Sequence, residues 1–217
     1  MGAGIAGLGF EKLVYGGLTK VFAGIVIAPI GGLIVGLLLT GLIITIFANR
    51  KPAPVNKTFG RLQIISSAWF ALTHGANDGQ KTMGIIALIL FSTGMIPELD
   101  IPLWVIFAAA AAMGLGTFFG GYKVIKTLGV KITKLKPYQG FAAETGGGIM
   151  LAAFAVLGIP ASTTHAITGT IMGSGAARRK RAVRWKVSRQ IIFSWIITIP
   201  GAAGLGIGFT YLIHLFV

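Results

Sequence analysis

Long apolar blocks separated by short basic segments make up most of this chain. Residues 21–48, "VFAGIVIAPIGGLIVGLLLTGLIITIFA", carry no charge at all. A bilayer core of ~30 Å needs about 20 such residues in a helix, so this block predicts a membrane-spanning helix, kinked at Pro29 where a backbone donor is lost. Residues 62–95 form a second block, interrupted by "HGANDGQKT" at 74–82. As one helix it would be ~50 Å long at 1.5 Å per residue, more than one straight crossing needs, which predicts a break near Gly75–Gly79. Residues 102–121 predict a third span, and 190–217 a last one with a break at Pro200–Gly201. Residues 138–177 are apolar or small almost throughout. No period-two alternation runs through these blocks, so helices rather than a barrel satisfy the backbone in lipid.

The polar segments orient the spans. Residues 50–61, 122–137 and 178–189 are rich in Lys and Arg, whereas "MIPELDIP" at 95–102 has two acids and no base. Basic loops stay cytoplasmic, so those three segments are placed inside and the acidic one outside. Residues 138–177 then leave the cytoplasmic side and return to it, as two short spans or a re-entrant hairpin turning at Gly158–Pro160. About six membrane segments result, with the C-terminus outside.

Composition agrees. The chain has 217 residues, 54% hydrophobic and 11% charged, with mean hydropathy +0.84. Soluble domains carry about 25% charged residues, so the class is an all-α multi-pass membrane protein with a lipid bilayer as partner. A net charge of +14 would suit a nucleic-acid binder, but the cations sit in the short segments between spans, and no nucleic acid is expected. With no cysteine, disulfides are excluded. The 33 glycines suggest close helix packing. The pairs Gly32/Gly36, Gly116/Gly120 and Gly204/Gly208 have GxxxG spacing and are read as packing within the chain.

Candidate chemistry lies where charge interrupts apolar sequence. The five acids are Glu11, Asp78, Glu98, Asp100 and Glu144, and only Asp78 and Glu144 fall inside apolar blocks. A charge at the centre of a membrane helix costs about 2.5–3.5 kcal/mol. Asp78, Lys81 and Glu144 would together cost ~8–10 kcal/mol without partners. Asp78 can pair locally with Lys81, and Glu144 can protonate and bond a neighbouring helix. If a half-helix starts at the break, Asn77 or Asp78 is its N-cap, and Ser162 or Thr163 caps a second one after Pro160. Two helix N-termini with Lys81 and the hydroxyls of Ser162, Thr163 and Thr164 would hold a tetrahedral oxyanion. Back-bonding within a helix is the plainer reading of those hydroxyls. An anion beside Asp78 and Glu144 meets repulsion, which a co-bound Na+ or H+ relieves; symport follows as an expectation. His74 and His165 sit beside the two motifs, as proton relays or as packing residues, and His214 is read as interfacial. No metal-ligand spacing, nucleophile elbow or P-loop appears, so neither an enzyme nor a resident metal or cofactor is expected.

"HGANDGQKTMGI", "YQGFAAETG" and "GIPASTTHAITGTIMGSG", in that order, closely resemble the inorganic phosphate transporter (Pit) family from about residue 20 onward. The resemblance implies an inverted-repeat fold with broken helices and a re-entrant hairpin, and cation- or proton-coupled phosphate symport across the plasma membrane. It implies that Asn77, Asp78 and Lys81 are phosphate- or cation-site residues and that Ser162, Thr163 and Thr164 are phosphate ligands. Glu144, in the Gly-Phe-x-x-Glu stretch, is implied to join Asp78 in ion coupling.

The family pattern has two Gly-x-Asn-Asp repeats, and this chain has one. Residues 1–20 resemble the tail of a first repeat, 21–61 a connecting span and loop, and 62–217 the second repeat. A further chain or upstream segment supplying the first repeat is therefore an expected partner. A homodimer is the other arrangement, although identical copies would share one orientation where the family's repeats are inverted. Transport of sulfate or arsenate, or a non-transporting membrane fragment, are the competing readings.

Overall fold

The computed structural model describes residues 2–215, and among them all regular structure is helical. The helices are α1 (Gly2–Leu8), α2 (Tyr15–Ile46), α3 (Pro52–Ser92), α4 (Leu103–Lys126), α5 (Pro137–Val156), α6 (Thr163–Arg178) and α7 (Trp185–His214). A π-helical stretch, Thr127–Ile132, follows α4. The outward C-terminus expected from the charge pattern lies beyond the described residues.

Two compact units are present. One combines the residues up to Phe22 with those from Arg184 on, and the other is Ala23–Val183. In the first, α1 packs on α7, and Gly2 meets the Ala203 backbone so closely that a Cβ there would collide with it. The second holds every candidate site residue.

In this second unit α3 lies along α5, and α5 turns back through residues 157–162 into α6. This is the hairpin expected at 138–177. The turn is chemically determined. Gly158 adopts φ +61, Gly158 N–H donates to Ala155 O at 3.2 Å, and Ile159 N–H donates to Phe154 O at 2.9 Å. These two bonds close α5 in a Schellman motif, which takes glycine at its left-handed position. Pro160 then keeps the preceding residue extended, and Ser162 caps α6, accepting from His165 N–H at 3.4 Å.

α2 is two-faced. Gly24, Ala28, Gly32, Gly36 and Thr40 are its buried positions, one every four residues, while Ile30, Ile34, Leu38 and Leu42 are exposed. The small stripe lies against α6: a Cβ on Gly32 would sit 2.6 Å from Ala166 O, and one on Gly36 would strike Thr170. Small residues admit such backbone approach where lipid offers no hydrophobic drive for association. Gly32/Gly36 therefore packs within the chain as expected. Gly116, Gly120, Gly204 and Gly208 have open space around them.

Several expectations need correction. α3 is unbroken from Pro52 to Ser92, with no left-handed residue inside it. Its glycines each cost helix stability of about 1 kcal/mol relative to alanine, which weakens a helix without ending it. The helix stops at Gly94 (φ +73), where Gly94 N–H and Met95 N–H close a second Schellman motif on Phe91 O and Leu90 O. α7 likewise runs through Pro200. Residues 52–61 are the start of α3 rather than a loop, because Pro52 fits the first helical turn. Among the described residues three helical segments are long and apolar enough to cross a bilayer: α2, Leu103–Tyr122 and α7. α3 is too polar by that measure, and α6, with 16 residues, is shorter than a crossing requires.

Candidate functional site

α3 presents Asp78 to the hairpin turn. Thr163, the first residue of α6, donates its hydroxyl to Asp78 Oδ2 at 2.9 Å. His74, one turn earlier on α3, places Nε2 3.1 Å from the same oxygen. Lys81 donates to Asp78 Oδ1 at 3.0 Å and to the backbone oxygen of Ala161 at 2.8 Å. A charge-assisted hydrogen bond contributes about 1.5–3 kcal/mol, so two or three of them offset the cost of placing a carboxylate inside a membrane helix. The helical spacing explains the cluster: positions 74, 78 and 81 stand one above another on one face of α3.

Asn77 anchors the neighbouring strip of α3. It is 8% exposed and donates to Thr73 O at 3.3 Å and to Leu151 O of α5 at 3.2 Å. The bond to Leu151 ties α3 to the hairpin two turns below its tip. Beside it lies a cavity of about 270 Å³, lined by Asn77, Gln80, Lys81, Phe154, Ala155, Gly158, Ile159 and Pro160. Its floor is apolar, and its polar groups are an amide pair and a lysine.

Glu144 occupies a different place. It accepts from Ser66 at 2.6 Å and from Gln63 at 3.3 Å, both on α3. Ser66 and Asp78 are separated by ~18 Å along that helix at 1.5 Å per residue. The structure thus brings Asn77, Asp78, Lys81 and Thr163 together and sets Glu144 apart from them. Ser162 serves as the cap of α6, and Thr164 is exposed on its first turn.

The unbroken α3 also changes the electrostatics. No half-helix N-terminus exists at Asp78, so α6 contributes the one helix N-terminus near the cluster. Asp78 already sits at that positive end, balanced by Lys81. Residues the sequence reading left out are Gln80, which lines the cavity, and Gln63 and Ser66, which hold Glu144. The i, i+3 spacing of Gln63 and Ser66 within an apolar run was their available signal. His74, a proton relay or packing residue on sequence alone, meets Asp78 through i, i+4 spacing.

These motifs have known counterparts. A model of the phosphate transporter family matches residues 1–206. This chain belongs to that family. It is 50% identical over 204 residues to a probable low-affinity inorganic phosphate transporter of Rhizobium meliloti (strain 1021), covering 94% of this chain and 61% of that one. A relative of the same description in Bacillus subtilis (strain 168) is 41% identical over 206 residues, covering 94% and 62%. The fold is also that of a solved structure titled the sodium-dependent phosphate transporter. The TM-score is 0.85 at 24% identity, over all of this chain and 72% of that one. The chain thus spans about three fifths of the length of the curated relatives it matches.

Proposed function

We propose that the chain forms one half-site of a transporter that carries inorganic phosphate across the plasma membrane together with Na+ or H+. The observation that carries this reading is the Asp78 cluster beside the 270 Å³ cavity. Lys81 is the cation that reaches both the carboxylate and the hairpin. A phosphate entering the cavity would meet Lys81 and Gln80 as donors, with Ser162 at the α6 end, and Asn77 and Thr163 would join them by exchanging their present bonds to Leu151 and Asp78. Asp78 repels it, so binding is favourable when a cation or proton arrives as well. That dependence is the physical basis of symport. Glu144, held by Ser66 and Gln63, would serve as a second and separate cation position.

Facing donors from a first-repeat copy, on another chain or an upstream segment, would complete the coordination. The family name and those of the relatives support phosphate over other tetrahedral oxyanions. The test is radiolabelled phosphate uptake in cells lacking their own phosphate transporters, with the chain expressed alone and together with a first-repeat segment. Uptake that needs both parts, depends on Na+ or on a proton gradient, and resists excess sulfate is the expected result. Equal inhibition by phosphate and sulfate would point to a general oxyanion carrier. An absence of uptake with both parts present in the membrane would favour the non-transporting reading.

A further inference from the structure

A second cavity, of about 220 Å³, lies where α2 ends and α3 begins, far along α3 from the Asp78 cluster. Ile43, Ile44, Phe47, Arg50, Asn56, Lys136 and Tyr138 are among the residues that line it. Arg50 belongs to the α2–α3 turn and Lys136 is the residue before α5, so two basic residues from separate segments line one space. Among the described residues neither has a carboxylate at ion-pair distance. Of the acids in this unit, Asp78 and Glu144 are engaged elsewhere, and Glu98 and Asp100 follow the opposite end of α3.

The polar lining is otherwise incomplete. Asn56 Oδ1 is buried with no hydrogen-bond partner. The amide of a cavity-lining Asn56 offers two N–H donors as well as that acceptor. Tyr138, half-buried, adds a hydroxyl. Two cations, an amide and a phenol around a volume of this size match a phosphate group, whose oxygens take charge-assisted bonds from Arg and Lys. The other wall is apolar. Ile44, near the end of α2, and Phe47, just after it, are 37% and 36% exposed, and Phe47 stacks edge-on against Phe59 at 5.4 Å. A basic, aromatic-bearing pocket at a helix end, with an apolar flank continuing along the spanning helix, suits a ligand with a phosphate head and a hydrocarbon tail.

We propose that this pocket binds a phosphate ester oxyanion, presented as the headgroup of an anionic phospholipid on the cytoplasmic face. Arg50 and Lys136 would clamp the phosphate, Asn56 and Tyr138 would orient it, and the acyl chains would lie along Ile43, Ile44 and Phe47. This assignment stands independently of the transport reading, because none of these residues lines the Asp78 cavity.

The full chain, purified in detergent, is titrated by native mass spectrometry with phosphatidylglycerol, with phosphatidylcholine of the same acyl chains, and with inorganic phosphate. One saturable phosphatidylglycerol is expected. Arg50→Gln with Lys136→Gln should weaken it about thirty-fold, roughly the effect of two basic contacts. The pair Lys57→Gln with Lys131→Gln, which does not line the cavity, should weaken it less than about threefold, since charges away from the site act only through screened long-range attraction. Arg50→Lys with Lys136→Arg should restore binding, which separates loss of the clamp from loss of the fold. Asn56→Leu, which leaves the charge unchanged, should also weaken it. Inorganic phosphate that binds with the same residue dependence and displaces the lipid would uphold the oxyanion pocket and overturn its lipid source. Equal losses in both glutamine pairs, or phosphatidylcholine binding as tightly as phosphatidylglycerol, would overturn the proposal.

Discussion

Asp78 and Glu144 look alike as single acids in apolar sequence, yet their surroundings differ. Asp78 is held by a lysine, a histidine and a threonine; Glu144 is held by a serine and a glutamine, with no cation at ion-pair distance among the described residues. A double-mutant cycle on phosphate binding exposes the difference. Asp78→Asn with Thr163→Val should show a coupling of about 1 kcal/mol or more, because the two groups touch. Asp78→Asn with Glu144→Gln should be additive within about 0.5 kcal/mol, because the groups are far apart. Coupling as strong in the second pair as in the first would place both carboxylates in one site. Lys81→Gln should lower phosphate uptake about tenfold or more, the effect of losing one charge-assisted bond to the substrate. Unchanged uptake would leave Lys81 as a structural partner of Asp78.

The hairpin is the element the sequence reveals best. Its return to the basic side, its turn at Gly158–Pro160 and its cap at Ser162 follow from local chemistry, since Gly, Pro and Ser act within a few residues. α3 is the element it reveals least. Charge in the middle of an apolar run suggests a break when the helix is considered alone. In the fold, Asn77, Lys81 and Asp78 find partners on the hairpin at Leu151, Ala161 and Thr163, so the polar groups are satisfied without unwinding. The Ser66 and Gln63 bonds to Glu144 were hidden for the same reason: their partner is remote in sequence. The continuity of α3 is testable. Gly75 has open space around it, so Gly75→Ala should stabilise an unbroken helix by about 0.5–1 kcal/mol, read as a raised melting temperature in detergent. A loss of stability would restore the break. Gly36→Leu should lower stability by about 1–3 kcal/mol by forcing α2 away from α6, whereas Gly116→Ala, in open space, should not.

At the scale of the whole molecule, the membrane class was legible from composition and from uninterrupted blocks such as residues 21–48. Among the described residues six long helices, α2 to α7, stand where about six membrane segments were expected; polar α3 and short α6 pack on other protein, so not all of them are apolar enough to cross a bilayer on composition alone. The exposed apolar face of α2, with Ile30, Ile34, Leu38 and Leu42, fits a lipid surface or a packing partner. Orientation remains open to direct test: cysteines placed in 122–137 or 178–189 of this cysteine-free chain should resist an impermeant thiol reagent applied from outside. Labelling there would invert the topology.

The central claim is that phosphate occupies the cavity between α3 and the hairpin turn, under the control of Asp78. A single cysteine at Gln80, which is exposed and lines that cavity, tests it directly. The measurement is the rate of maleimide labelling in membranes containing the chain with its first-repeat partner, with and without millimolar phosphate. Phosphate with Na+ or at acidic pH should slow labelling, sulfate should not, and Asp78→Asn should abolish the dependence on the cation. A labelling rate indifferent to phosphate while phosphate uptake persists would place the substrate elsewhere and contradict a phosphate site at this cavity.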